Sequence, residues 1–206
     1  MSLPAVSPGT SVKRPDRGVR SRRWTRDEYY RAWKAGIFGP EERLELLDGE
    51  ILQKMTPLPP HATAMSKTAH VLATAFGPGC YVRQQLPITL NDHGEPEPDV
   101  LVVPGTPDDY ATRHPGPSDV RLLVEISDTT LRLDQGRKQK SYARAGIPEY
   151  WVVNLPARRL HVYREPTETG YQSVTYFGEK ESVAPLAAPD ASISVAGLLP
   201  PVVLPG

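Results

Sequence analysis

The amino-acid sequence predicts an α/β (α+β) layer fold, a mixed β-sheet flanked by helices. Three observations carry this. Residues 120–127 (VRLLVEIS) and 149–155 (EYWVVNL) are short, nearly continuous apolar runs, the pattern of strands covered on both faces. Between them a helix is expected from about Leu133 to Ala145, ended by Gly146 with Pro148 beyond. Residues 61–76 place Met65, Ala69, Leu72 and Phe76 at helical spacing, as a helix lying on a sheet requires. Strands and helices in this order pack as layers around one core.

The remaining elements follow in chain order. Thr25 can cap a helix over 26–35, with Glu28 as its capping-box partner and Gly36 as its stop. Residues 43–55 contain Asp48-Gly49 between two apolar runs, which predicts a β-hairpin. Pro57, Pro59 and Pro60 break the chain before the helix over 61–76, and Gly77-Pro78-Gly79 ends it. Strands are expected over 80–90 and 97–103, then a proline-rich loop. After the strand at 149–155, residues 159–165 (RLHVYRE) read as a hairpin partner and 171–177 as an edge strand. Tyr150 and Trp151 have apolar neighbours and are expected in the core rather than on a base-stacking surface.

Domain organisation is read from composition. Residues 1–22 lack periodicity and predict a disordered basic arm; 23–182 form the folded domain; 183–206 form an irregular Pro/Ala-rich tail. In the head, Lys13, Arg14, Arg17, Arg20, Arg22 and Arg23 face only Asp16, so it reads as a solvated tail or a nucleic-acid arm. No apolar run approaches the ~20 residues of a membrane span. With no signal-peptide core and a single cysteine, Cys80, the sequence predicts a cytoplasmic protein without an internal disulfide or multi-cysteine zinc site. A net charge of zero argues against a strong non-specific DNA binder.

The informative feature is charge inside apolar strands. Asp99 interrupts EPDVLVV and Glu125 interrupts VRLLVEIS. A carboxylate there costs several kcal/mol unless a cation pairs with it. Two of them on sequential strands suggest a shared Mg²⁺ or Mn²⁺, which takes one or two carboxylates plus waters and phosphate oxygens. On the following helix Asp134, Lys138 and Tyr142 recur at four-residue steps and share a face, so Lys138 can reach the carboxylates. Arg137, Lys140 and Arg144 fall on another stripe, where they could meet phosphates. A structural Glu125–Lys138 ion pair, with Asp99 capping a loop, would account for the same residues. Spacing alone leaves both readings open.

The runs RLELLDGEI, a proline turn followed by His61, EPDVLVV, LLVEISDTT, DQGRKQKSYARAGIPEYWVVN and RLHVY together resemble the Uma family of restriction-endonuclease-like proteins, in the PD-(D/E)XK nuclease superfamily. The resemblance covers about residues 24–165 and rests on the order of six motifs. It implies a restriction-endonuclease-like core, with Pro98-Asp99 as the "PD", Glu125 as the "(D/E)" and a role for Glu45. The strict E-x-K pattern would place lysine at position 127, where this chain has Ser127. The family pattern instead resembles a lysine migrated to the next helix, matched here by Lys138.

This resemblance implies a Mg²⁺- or Mn²⁺-dependent endonuclease that hydrolyses nucleic-acid phosphodiester bonds, with DNA as the expected partner. Asp99 and Glu125 would hold metal, with Glu45 at a second metal or reaching the first through water. Lys138 would orient water or stabilise charge on the phosphate. His61, Asp134 and Tyr142 are accessory candidates. The alternative is a catalytically weak nucleic-acid-binding or regulatory module on the same fold. An edge strand near 171–177 would also permit a homodimer.

Overall fold

The computed structural model describes residues 20–202. The basic arm therefore lies, up to residue 19, outside the described residues, as do residues 203–206. Helix α1 (Arg26–Lys34) opens on the Thr25/Glu28 capping box, each side chain accepting from the other residue's backbone N–H. Strands β1 (Leu44–Leu47) and β2 (Glu50–Gln53) pair antiparallel. Asp48 and Gly49 between them both have positive φ, 52° and 80°. That is the backbone a two-residue primed hairpin turn demands and that Asp-Gly tolerates. Tyr29, Leu44 and Leu46 bury together and join the hairpin to α1.

The centre is a six-stranded sheet with the strands in sequence order: β3 (Cys80–Gln84), β4 (Val100–Pro104), β5 (Leu122–Ser127), β6 (Glu149–Asn154), β7 (Arg159–Thr167) and β8 (Gly170–Gly178). Only β5 and β6 run parallel. Their connection is a helical crossover, α3 (Leu131–Leu133), a π-helical turn (Asp134–Lys138) and α4 (Gln139–Arg144). Alternation along the strands divides the apolar residues between two faces. Val102, Val124 and Trp151 pack toward helix α2 (Pro59–Phe76), and Leu123, Tyr150 and Val152 toward Tyr142 of α4. Strands β5 and β6 are buried along their whole length, as their unbroken apolar runs require. Tyr150 and Trp151 are both fully buried. No helix among the described residues is long and apolar enough to cross a membrane.

Four elements differ from the sequence expectation. Helix α2 starts at Pro59, because Pro suits the first helical turn, where an N–H would have no partner. Strand β3 stops at Gln84 instead of running to 90, since Gln85 has φ 49° and Pro87 follows. Strand β4 starts at Val100, so Asp99 sits at the mouth of the strand and does not interrupt it. The segment after 182 is not irregular throughout: it carries β9 (Ser182–Val183), β10 (Ile193–Ser194) and α5 (Val195–Leu198). Val183, Ile193, Val195 and Leu198 join the same core as Leu72 of α2. These isolated apolar residues have no period of their own, and only the surface of α2 makes them core.

Candidate active site

The entry to β4 and the interior of β5 deliver two carboxylates to one cleft of ≈ 380 Å³, walled by residues 52–58, the start of α2, loop 128–130 and the π-helical turn. Asp99 sits at the entry to β4, buried. Its Oδ2 accepts from the backbone N–H of Ile126 at 2.9 Å and lies 3.2 Å from Nε2 of His61, while Oδ1 accepts from Gln85 Nε2 at 3.3 Å. Burial opposes ionisation of Asp99, but His61 outweighs it and holds the carboxyl down at about 2. Burial would likewise lower the His61 imidazole. The Asp99 hydrogen bond prevails and raises it.

Glu125 lies inside β5, fully enclosed except toward the cleft. Its Oε1 accepts from Lys138 Nζ at 3.0 Å and from the Tyr142 hydroxyl at 2.7 Å. Its Oε2 takes no hydrogen bond among the described residues. Burial pushes the Glu125 carboxyl up to about 8, Lys138 only moderating the shift. Lys138 also lies 3.1 Å from Glu45 Oε1. Burial alone would lower the Lys138 ammonium, but Glu125 and Glu45 together keep it protonated.

The π-helical turn positions the cation. The N–H of Gln139 donates to Asp134 O, five residues back. This wider turn, a form concentrated at functional sites, leaves Asp134, Lys138 and Tyr142 all buried on the sheet side. Asp134 accepts from the hydroxyls of Ser127 and of Thr130 (2.6 Å), and burial raises its carboxyl. Ser127 thus occupies the strict-pattern lysine position as a support for the helix.

Three sequence assignments change. Glu45, expected as a metal ligand, lines the same cleft with its Oε1 3.1 Å from Lys138 Nζ and its Oε2 accepting from the Glu97 N–H at 3.0 Å, contacts that make it a counter-charge to that lysine. Arg137 and Arg144 were expected to face phosphates. Instead Arg137 binds Glu50 and the Leu47 carbonyl, and Arg144 binds Asp48. The β1–β2 hairpin supplies the acids that hold them, a contact invisible in sequence because 87 to 96 residues separate the partners. Lys140 stays exposed. The sequence reading missed Gln85, which holds Asp99, and Lys54, which donates to the Glu97 carbonyl at 2.7 Å. The positive φ at Gln85 and its approach to Asp99 leave no mark in sequence.

Among the described residues no three His, Cys, Asp or Glu side chains converge on one point as a protein cage for a metal. What the cleft offers is carboxylate oxygen, from Asp99 and Glu125 with Glu45, Asp128 and Asp134 also in its lining. Oxygen donors of this kind suit hard divalent cations, which complete their shells with water and phosphate oxygens.

A family model described as "Uma2: Putative restriction endonuclease" matches residues 26–196. The chain belongs to the Uma2 family. Its fold is that of a solved relative, the crystal structure of "a putative nuclease belonging to DUF820 from Anabaena variabilis ATCC 29413", at 19% identity and a TM-score of 0.64, covering 84% of this chain and 96% of that one. Among curated proteins none matches the chain. The Uma2 match runs from the start of α1 to the first turn of α5 and so takes in the β9–β10 segment that the sequence alone set apart. Membership gives the chain a nuclease-like assignment.

Proposed function

We propose that the cleft of this Uma2 chain is the active site of a Mg²⁺- or Mn²⁺-dependent endonuclease that hydrolyses phosphodiester bonds in nucleic acid, DNA first. The observation that carries the reading is the half-satisfied Glu125: one oxygen is held by Lys138 and Tyr142 while the other opens on the cleft that Asp99 also lines. Asp99 and Glu125 would hold the cation. A bound divalent ion would polarise the phosphate and acidify a water. Lys138 stays protonated, so it donates hydrogen bonds and positive charge and does not act as a base. Tyr142 and Glu45 fix where its ammonium and the Glu125 carboxylate point. His61 holds Asp99 in its ionised form.

Cleavage of plasmid, linear duplex and single-stranded substrates with Mg²⁺ or Mn²⁺ tests this, alongside calorimetric titration of the metal. Wild type should cleave and bind, and Asp99→Asn and Glu125→Gln should lose both. Lack of divalent binding by wild type would sink the reading. The alternative, a catalytically weak binding module, is favoured by one fact: Lys138 already faces two carboxylates. It predicts nucleic-acid binding without cleavage. For the homodimer, we place the contact on β8, an outer strand of nine residues without a charged side chain and with Tyr176 58% exposed.

A further inference from the structure

Resting on the nuclease reading above, we propose that this cleft takes an unpaired stretch of nucleic acid, one base lying against a shelf made by Met55 and Leu58, and not an intact duplex. The charges in the cleft are the first reason. Its cationic lining residues are Lys54, His61 and Lys138. Each is already beside a carboxylate: Lys54 lies 3.7 Å from Glu97, His61 3.2 Å from Asp99, and Lys138 3.0 Å from Glu125 and 3.1 Å from Glu45. Asp128 and Asp134 add further negative charge to the wall. A duplex presents two phosphate backbones, and proteins that hold it neutralise several phosphates with free Lys and Arg. Nothing lining this cleft is left to do that. A cation on Asp99 and Glu125 would serve the one phosphate it touches.

The apolar residues are the second reason. Met55 is 83% exposed and Leu58 63% exposed on the loop between β2 and α2, with Pro57 between them, and all three line the cleft that Asp99 and Glu125 line. Large apolar side chains held in water beside a polar centre mark a ligand surface. In a duplex the π-faces of the bases are covered by their neighbours in the stack. An unpaired base exposes its face, and contact between that face and a side chain is independent of sequence. The volume agrees: ≈ 380 Å³ belongs to the class of small-molecule pockets, room for a nucleotide rather than a double helix. Met55 and Leu58 line the same cleft as the carboxylate pair, so a base resting on them would bring its own phosphate toward it.

The test uses the full chain, Ca²⁺ in place of the hydrolytic metal, and fluorescein-labelled oligonucleotides of about 12 nucleotides, within the span single-strand sites cover. Single-stranded DNA, single-stranded RNA and the DNA duplex are compared by anisotropy across a salt series. At least one single strand should bind at least about tenfold tighter than the duplex. Its slope of log K against log salt should lie between about −0.7 and −2, the mark of one to three phosphates. Met55→Asp and Leu58→Asp should each weaken single-strand binding by about fivefold or more, with unchanged melting because both side chains are exposed, while Met55→Leu should bind like wild type. The proposal is overturned if the duplex binds as tightly, if the slope is steeper than about −4, or if the Asp variants bind like wild type. Failure of the underlying reading looks different: no nucleic acid is then bound or cleaved in any metal. If the duplex is cleaved and Met55→Asp cleaves it equally well, the nuclease reading stands and only this inference falls.

Discussion

Glu125 and Glu149 lie on neighbouring parallel strands, β5 and β6, and both are buried. Glu149 is complete. Its Oε1 accepts from Trp151 Nε1 and from Arg164, and its Oε2 accepts from the Leu186 N–H at 2.7 Å. It pins the 182–199 segment to the sheet and does not line the cleft of Asp99 and Glu125. Glu125 has one oxygen engaged and the other turned to the cleft. Burial of a carboxylate therefore does not distinguish a group the fold completes from one left with an oxygen free of hydrogen bonds among the described residues. Between these two acids the distinction lies in whether the protein leaves an oxygen without a hydrogen bond.

The comparison can be broken from either side. The largest effect is expected for Lys138→Ala, which leaves Glu125 and Glu45 facing each other without a cation. Chemical denaturation of the metal-free protein should show a loss of about 3–5 kcal/mol. Millimolar Mg²⁺ should return part of it by binding the folded state alone. A loss that metal does not touch would show that Glu125 belongs with Glu149 as a structural group.

Glu149→Gln should come next, at about 1–3 kcal/mol, because an amide N–H would meet the Leu186 N–H or leave it unpaired. Metal binding, read by calorimetry, should stay at the wild-type level. Any weakening of metal affinity would erase the contrast between the two acids.

Titration sharpens the contrast further. The folded Glu125 carboxyl stands at about 8 against an ordinary 4.5. Its neutral form is the one the fold favours. The contribution of Glu125 is thus fully present below about pH 4.5 and is lost as pH rises through about 8. In chelator, the stability difference between wild type and Glu125→Gln should move in favour of the variant across that window. The slope is at most about 1.4 kcal/mol per pH unit, one proton's worth. A difference independent of pH would mean that Glu125 is ionised throughout.

The smallest change is expected at the sheet edge. Val174→Lys on β8 places a charge on an outer strand that has none, the usual means of blocking edge pairing. Light scattering after size exclusion should shift toward monomer with stability within about 0.5 kcal/mol of wild type. A wild type that is monomeric at all concentrations would remove the homodimer from the proposal.

Much of the fold was legible because it is local. The apolar runs at 122–127 and 149–154, the Asp48-Gly49 turn and the Thr25/Glu28 cap each carry their own signal within a few residues. The candidate site was legible in part. Asp99 and Glu125 were visible as charges in apolar runs and Lys138 by its four-residue spacing from Asp134 and Tyr142, and the structure gathers all three on one cleft. The same rule passed over Glu149, equally a carboxylate at a buried strand, because sequence shows the presence of a charge and not the number of its partners.

What the sequence by itself determined is the order of elements, the buried central strands and the residue types available for chemistry, since period and composition are properties of neighbours along the chain. The tertiary structure alone decided which of those residues have spare bonding capacity. Glu45 became counter-charge because Lys138 and the Glu97 amide reach it; Arg137 and Arg144 became hairpin anchors because Glu50 and Asp48 fold over them; the residues around Ile193 became core because α2 lies beneath. Each of these outcomes depends on a partner distant in sequence, and a hydrogen bond or a buried contact is fixed by distance in space.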